Sequence, residues 1–404
     1  MKVLIVNTMY PPEVVGGAEL SVSFLAEALV QRGHEVAVVC LHPEDDKKVE
    51  VRAGVRIYRL PVDNIYWPFE IRRKPSVLHR FAWHVRDTWN RKAARRFGSI
   101  LDDEKPDVVH TNNLSGFSVS IWREIHRRNI RVVHTLRDYS LICKRGTLFA
   151  NGKICEKRCF SCALFTAPYK QSSHKVDAVA SNSKCVQDLH LNLDYFSGVP
   201  TKVIYNIAKF SEIAPVEHPP SEDMVFGFIG RVEPEKGIEV VLKATQLLPK
   251  TGWRLKIAGN GVPDYVASLK TKNPSERIEW LGFMPSSEFY SSVDVCLISS
   301  IWHEPLPRTL IECIASGKAT ICARAGGIPE IADLSALVGN YDPQDYRELA
   351  ALMLKAMNEA AHWRQVHPIP GDFTMQFSAD AIVDGYLSLF EGDAGRPRSR
   401  TSSL

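Results

Sequence analysis

Apolar runs and amphipathic stretches alternate along this chain in a repeating order. Lys2–Tyr10 reads as a buried strand that Pro11 and Pro12 break. Gly16-Gly17-Ala18-Glu19 opens a helix to about Gln31, Gly33 ends it, and Glu35–Cys40 is the next strand. This strand, glycine turn, helix, strand order is a βαβ unit. Val55–Leu60 follows as a strand, then Asp107–Thr111 running into Asn112-Asn113, and Arg131–Leu136 running into Arg137-Asp138-Tyr139. Ala178–Ser181 and Lys202–Asn206 complete the first set, with Asn182 or Ser183 capping the helix between them. Pro215–Asp223, rich in Pro and Glu, reads as a linker. The pattern then restarts with strands at 225–230, 254–259, 278–282 and 295–300 and helices at 238–248 and 286–292. Phe377–Phe390 carries apolar residues at helical spacing, and the Gly-, Arg- and Ser-rich residues after Glu391 read as disordered.

Two α/β sheets are therefore expected, and 404 residues are too many for one ordinary core. The expected division is 1–210 and 211–376, with a last helix at 377–391 and a tail at 392–404. Composition is that of a globular protein, with 45% hydrophobic and 24% charged residues. No run reaches the roughly 18–20 apolar residues of a membrane span. The first residues read as a strand and not as a signal peptide, so the expected location is cytoplasmic, where nine cysteines argue against a disulfide framework.

The net charge of +4 is modest, but its distribution is not. Between Ile71 and Phe97 stand Arg72, Arg73, Lys74, Arg80, Arg86, Arg91, Lys92, Arg95 and Arg96 against one acid, Asp87. Leu78, Phe81, Val85 and Trp89 recur there at helical spacing, near Trp67 and Trp83. Two readings fit residues 66–97: an amphipathic helix on an anionic membrane surface, or a core-packing helix with a solvated basic face. Nucleic acid is not expected, because no matching fold signature is present.

Candidate chemistry concentrates in the second half. In Glu304-Pro-Leu-Pro-Arg-Thr-Leu-Ile-Glu312 two carboxylates stand on either side of a helix start. Pro307 suits the first turn, Arg308 and Thr309 follow, and Gly317 stops the helix. A helix start offers free N–H groups and a positive dipole end to a phosphate. Glu312 lies five residues beyond Pro307, roughly 7–8 Å along the axis, about the length of a diphosphate. Each carboxylate can then accept from a hydroxyl-bearing ring at one end. Gly16-Gly17 allows either a flexible turn or close backbone approach to a ligand. A dinucleotide oxidoreductase would carry G-x-G-x-x-G there, and it is absent.

This stretch, with Ala325-Gly-Gly-Ile-Pro-Glu330, resembles the E-x7-E region of retaining glycosyltransferases of family 4, which have the GT-B fold. The resemblance implies two facing Rossmann-like domains, with the last helix crossing back to the first. It implies that Glu304 holds donor-sugar hydroxyls, that Glu312 holds the nucleotide ribose, and that Gly16 and Gly17 face the donor diphosphate and the acceptor. Phe228-Ile-Gly230-Arg231 and Glu235-Lys236-Gly237 resemble the family's phosphate-binding Arg and Lys. These cations suit a diphosphate leaving group that gains charge, and with no D-x-D motif present no catalytic metal is expected. Gly261, Phe283 and Met284 fall where base and sugar are selected. Asn112 stands where the family often has a second His, Arg137-Asp138 where it often has His-Asp, and Pro307 where it commonly has Gly. Retention is described for this family as same-face attack, with the leaving phosphate helping to take the acceptor's proton. Asp138 is the alternative base.

The expected function is thus transfer of a hexose-type sugar from a UDP- or GDP-sugar to a glycan or lipid-linked glycan, in cell-surface polysaccharide or glycolipid synthesis, on the inner membrane face. The rivals are a GT-B nucleotide-sugar epimerase and a non-catalytic sugar-nucleotide-binding protein. Cys143, Cys155, Cys159 and Cys162, spaced C-x11-C-x3-C-x2-C around Asn151-Gly152, suit either a structural zinc or free thiols bracing a long loop. His110 and His134 fit either a site or a hydrogen-bonded core.

Overall fold

Runs of Val, Ile and Leu, apolar on both faces, build two parallel sheets covered by helices. The computed structural model describes residues 1–14, 16–44, 46–69, 75–208, 221–335 and 337–392. Part of the expected linker, nearly all of the expected tail and Arg72–Lys74 lie outside these residues. The first half holds β1 (Lys2–Val6), β2 (Glu35–His42), β3 (Lys48–Arg52), β4 (Val55–Pro61), β5 (Val108–Thr111), β6 (Arg131–Leu136), β7 (Phe149–Ala150), β8 (Lys153–Ile154), β9 (Ala178–Ser181) and β10 (Thr201–Val203). The second holds β11 (Met224–Ile229), β12 (Trp253–Ala258), β13 (Ile278–Gly282), β14 (Val295–Ile298), β15 (Ala319–Ala323) and β16 (Val338–Tyr341).

Helices of the first half are α1 (Gly17–Gln31), α2 (Val77–Thr88), α3 (Arg91–Glu104), α4 (Ser120–Arg127), α5 (Phe160–Ser172) and α6 (Lys184–Leu191). Those of the second are α7 (Ile238–Thr245), α8 (Pro263–Lys272), α9 (Ser286–Ser291), α10 (Arg308–Ala315), α11 (Ile328–Ala332), α12 (Tyr346–Asn358), α13 (Ala360–Trp363), α14 (Gly371–Gln376) and α15 (Ala379–Glu391). Among the described residues no helix is long and apolar enough to cross a membrane.

The first sheet runs β10-β9-β6-β5-β1-β2-β4-β3 and the second β13-β12-β11-β14-β15-β16. Only β3 is antiparallel to its neighbour in these two sheets; β7 and β8 form a separate hairpin. Strand order reverses at β1, between β2 and β5, and at β11, between β12 and β14. Ligands of open α/β sheets bind beyond the strand ends at such switch points. Each domain therefore has one, and the loops there are stitched together. In the first, the Asn112 N–H donates to Val6 O (2.9 Å) and Asn113 N–H to Asn7 Oδ1 (3.2 Å). In the second, Ser299 Oγ donates to Lys236 O (2.9 Å) and Ile301 N–H to Glu235 O (2.9 Å).

The last helix begins later than the apolar pattern suggests. Phe377 stays in the second domain's core, with its ring 4.7 Å from that of Phe373. Ser378 then caps α15 by accepting from the Ala381 N–H. From there Ile382, Val383, Tyr386 and Phe390 pack with Val3, Ile5, Val22 and Leu25 of the first domain. Tyr386 OH meets Thr135 Oγ1 at 3.1 Å, and Arg131 Nε donates to Leu389 O.

The core-packing reading of residues 66–97 holds for α3, which buries Ala93, Ala94 and Phe97 with Arg91, Lys92 and Arg95 outside, and is corrected for α2. Leu78, Phe81 and Val85 face solvent, at 78%, 57% and 50% exposure. The buried side chains of α2 are Trp83 and Asp87, on the opposite face, because α2 sits at the rim of the domain against α5. His110 and His134 are core residues: their rings bond Thr135 Oγ1 (2.6 Å) and Thr111 Oγ1 (2.9 Å), and burial pushes both well below the ordinary imidazole value.

Candidate active site

Lys236 closes a short helical turn, Pro234–Lys236, beyond β11. Gly237 follows in left-handed conformation (φ 73°), and a Cβ there would lie 1.8 Å from Ser299 O. Only glycine lets this turn press against the end of β14. The result carries Lys236 Nζ to 2.7 Å from Glu304 Oε2. Ser300 Oγ (2.7 Å) and Trp302 Nε1 (2.9 Å) donate to the same oxygen. Burial works against the Glu304 charge, but Lys236 and the two neutral donors outweigh it and hold the carboxyl below its usual range. All three donors converge on Oε2, which leaves Oε1 for a further donor.

The glycine pair of the second motif serves the backbone of this acid. A Cβ on Gly326 would lie 2.3 Å from Glu304 N and O, and Gly327 N–H donates to Glu304 O (2.7 Å). Glu330 does something the sequence did not suggest. Its carboxylate accepts from the Lys184 and Cys185 N–H groups, each at 2.8 Å. It caps α6 from the other domain.

Pro307 is the cap of α10 and not its first helical residue, so the helix starts at Arg308. The N–H groups of Arg308 and Thr309 have no carbonyl inside the helix to reach. Arg308 Nε bonds Glu312 Oε1 (2.8 Å), and Tyr290 OH donates to Glu312 Oε2 (3.1 Å). Arg308 also lies over the Phe24 ring of the first domain (5.3 Å), and a Cβ on Gly17 would come within 3.9 Å of its Cδ. Gly16 and Gly17 have no positive φ, and a Cβ on either would meet its nearest neighbour at 3.9 Å, an ordinary contact, so neither backbone conformation nor packing within the protein requires glycine there. Beside Glu312 a cavity of about 320 Å³ opens between the domains, lined by Ser21, Asn206, Pro285, Ser286 and Arg308.

The N-terminal half of the chain, residues 16–206, matches the glycosyl transferase 4-like domain model, and residues 209–366 match that of glycosyl transferases group 1. The chain is a family 4 glycosyltransferase of GT-B fold. An uncharacterized 42.6 kDa protein from the cps region of Klebsiella pneumoniae is 33% identical over 97% of this chain and 100% of its own. A glycogen synthase of Mycobacterium tuberculosis is 24% identical over 97% of this chain and 96% of its own. A sucrose-phosphate synthase from Thermosynechococcus elongatus superposes with a TM-score of 0.77 (18% identity, 96% of this chain, 98% of that one). HepE of Anabaena, solved with UDP, gives 0.70 (17% identity, 96% and 99%).

The other expected residues of this glycosyltransferase do not bond Glu304 themselves. Arg231 pairs with its loop neighbour Glu233 (2.8 Å) and does not reach Glu304. Gly261 is required by packing, since its Cβ would lie 2.2 Å from Val232 O. Phe283 is largely exposed, while Met284 packs on the second core. Asn112 is buried and turned into its own domain: its Oδ1 accepts from Arg137 Nε (2.8 Å). Arg137 also donates to Asn206 Oδ1 (2.5 Å). The pair Arg137 and Asn206 was not singled out from the sequence as a unit; the available signal was that both follow strands of one sheet edge.

Asp138 lies in the loop after β6. Its oxygens accept from Ser140 N–H (2.8 Å) and Asn113 Nδ2 (3.1 Å), and burial raises its carboxyl above the usual range. The next residue, Tyr139, packs edge-on against Trp302 at 6.3 Å and His303 at 6.4 Å. The Asp138 loop therefore abuts the loop carrying Glu304. This juxtaposition, like the Lys236 ring contact with Trp302 at 5.6 Å, was not visible in the sequence.

Proposed function

We propose that this glycosyltransferase moves a hexose from UDP-hexose, with retention, to a growing cell-surface glycan. The observation that carries the reading is Glu304, buried, ionised and fixed by Lys236, Ser300 and Trp302 at a switch point facing the other domain. A carboxylate so held is preorganised to accept sugar hydroxyls through Oε1. Lys236, Arg231 and the α10 start with Arg308 would compensate the diphosphate charge that grows as the glycosidic bond breaks. These protein cations are the basis for expecting no catalytic metal. UDP is favoured over GDP because HepE was solved with UDP and with UDP-glucose. The cps-region relative supports a polysaccharide acceptor.

The acceptor would be reached at an anionic bilayer. Leu78, Phe81 and Val85 of α2 and Phe160 (83%) and Leu164 (61%) of α5 stand exposed on two packed helices. Arg80 and Arg86 stand among them, also exposed. Apolar side chains interleaved with cations match an anionic headgroup layer.

The test is a thermal-shift panel of UDP-, GDP-, ADP- and TDP-sugars with and without EDTA. Ligand at 100 times its dissociation constant adds about 2.7 kcal/mol. The expected result is stabilisation by a UDP-sugar, unchanged by EDTA and reduced in Arg231→Ala. Stabilisation only with a divalent ion, or by none of the panel, would overturn this donor site. NMR of the product's anomeric configuration then tests retention.

A further inference from the structure

The chain between β6 and α5 is long and has little regular structure, yet it leads directly out of the Asp138–Tyr139 corner. Cys143 N–H donates to Tyr139 O (2.7 Å), and Tyr139 N–H donates to Gly146 O (3.2 Å). The β7–β8 hairpin, with Asn151 and Gly152 both at positive φ, then reverses the chain and delivers Cys155, whose N–H donates to Leu148 O (2.7 Å). Cys159 is the N-cap residue of α5, and Cys162 lies one turn inside that helix.

Four thiols therefore converge from a loop, a hairpin end and a helix start. All are free. Cys162 Sγ lies 3.9 Å from Cys143 Sγ and interacts with Cys159, while Cys155 lies within electrostatic reach of both Cys143 and Cys159. Sulfurs bound to one tetrahedral zinc at about 2.3 Å stand about 3.8 Å apart. The Cys143–Cys162 spacing is that edge. Among the described residues no three of these sulfurs lie within 4.8 Å of one another, so closing the site on an ion requires the exposed Cys159 and the half-buried Cys155 to turn inward onto the Cys143–Cys162 edge.

We propose that Cys143, Cys155, Cys159 and Cys162 bind a structural zinc ion. The ion ties the hairpin and the start of α5 to the loop that carries Asp138. A hairpin this short has no independent stability, and a metal cross-link supplies what its few contacts do not. The site would also fix Phe160, one residue past Cys159, at the exposed tip of α5. Asp138 and Tyr139 would be positioned through the Cys143 end.

The experiment is metal analysis of the intact purified chain, with cobalt substitution and thiol titration. Zinc stoichiometric with the chain, a visible tetrahedral cobalt–thiolate spectrum, and loss of both in Cys155→Ser/Cys159→Ser would establish the site. The two serines replace an exposed and a half-buried side chain outside both sheets, so circular dichroism of the variant should retain the parent's helix and sheet content while its melting temperature falls. Melting temperature should fall on chelation in the parent and not in the variant. Four thiols equally reactive with and without zinc, and no cobalt spectrum, would overturn the proposal. Iron with acid-labile sulfide, or a Cys143–Cys162 disulfide in the unreduced protein, would overturn it as well.

Discussion

Lys236 Nζ and Glu304 Oε2 lie 2.7 Å apart although 68 residues separate them in the chain. The lysine comes from the β11 loop and the acid from the β14 loop, the two strands flanking the second switch point. Replacing Lys236 by Ala leaves a buried carboxylate short of its counter-charge. The expected cost is about 1–3 kcal/mol of stability and about 10²–10³ in kcat, read by denaturant titration and by donor turnover. Glu304 has a lowered folded pKa. Its contribution is therefore complete above the unfolded carboxyl value of about 4.3 and is lost as pH falls through the folded value. Glu304→Gln should flatten the stability profile in that acid window. An unchanged profile would contradict the ionised state assigned here.

Asp138 carries the opposite shift. Burial raises its folded pKa, so its basic form fills only above the ordinary carboxyl range. With Asp138 as the base, kcat/KM falls on the acid side at that raised value, and Asp138→Asn loses about 10²–10⁴. With the leaving phosphate as the proton acceptor, the variant stays within about tenfold and keeps the parent's acid limb. A pH–rate profile of both proteins separates the two.

Glu330 accepts two N–H bonds at the start of α6 across the domain boundary. Glu330→Ala should cost about 1 kcal/mol, as loss of a helix cap does. It should also speed hydrogen exchange at the Lys184 and Cys185 amides. Exchange unchanged at those two positions would show that the latch is not formed in solution.

The α2–α5 face predicts selective sedimentation with phosphatidylglycerol vesicles over phosphatidylcholine ones. Phe81→Ser/Leu164→Ser removes two exposed apolar side chains and should abolish binding while leaving the melting temperature within about 1 °C, as surface changes are usually small. Equal binding by parent and variant would remove this face as the docking surface.

Much of the molecule was legible in its residues. Strands apolar on both faces, separated by helices, require parallel sheets with helical covers, and two sets of them require two domains. Glu304 and Glu312 could be singled out because a helix start between two carboxylates suits a phosphate and hydroxyls by local rules, while Lys236 and the Gly326-Gly327 pair were marked by the family resemblance.

What periodicity cannot tell is which surface covers an apolar stripe. The stripe Leu78, Phe81, Val85 has the same spacing whether it meets a core or solvent, and only the placement of α2 at the domain rim left it outside. The same limit applies to the ion pairs. Arg231 and Lys236 look equivalent in sequence, but one ends on Glu233 and the other on Glu304. Glu330 looked like part of the donor motif and instead caps a helix of the opposite domain. The sequence determined the elements and the local chemistry each can offer, because those depend on neighbours in the chain. The tertiary structure decided which groups meet, because contacts between loops of different strands and domains depend on how the sheets order and face each other.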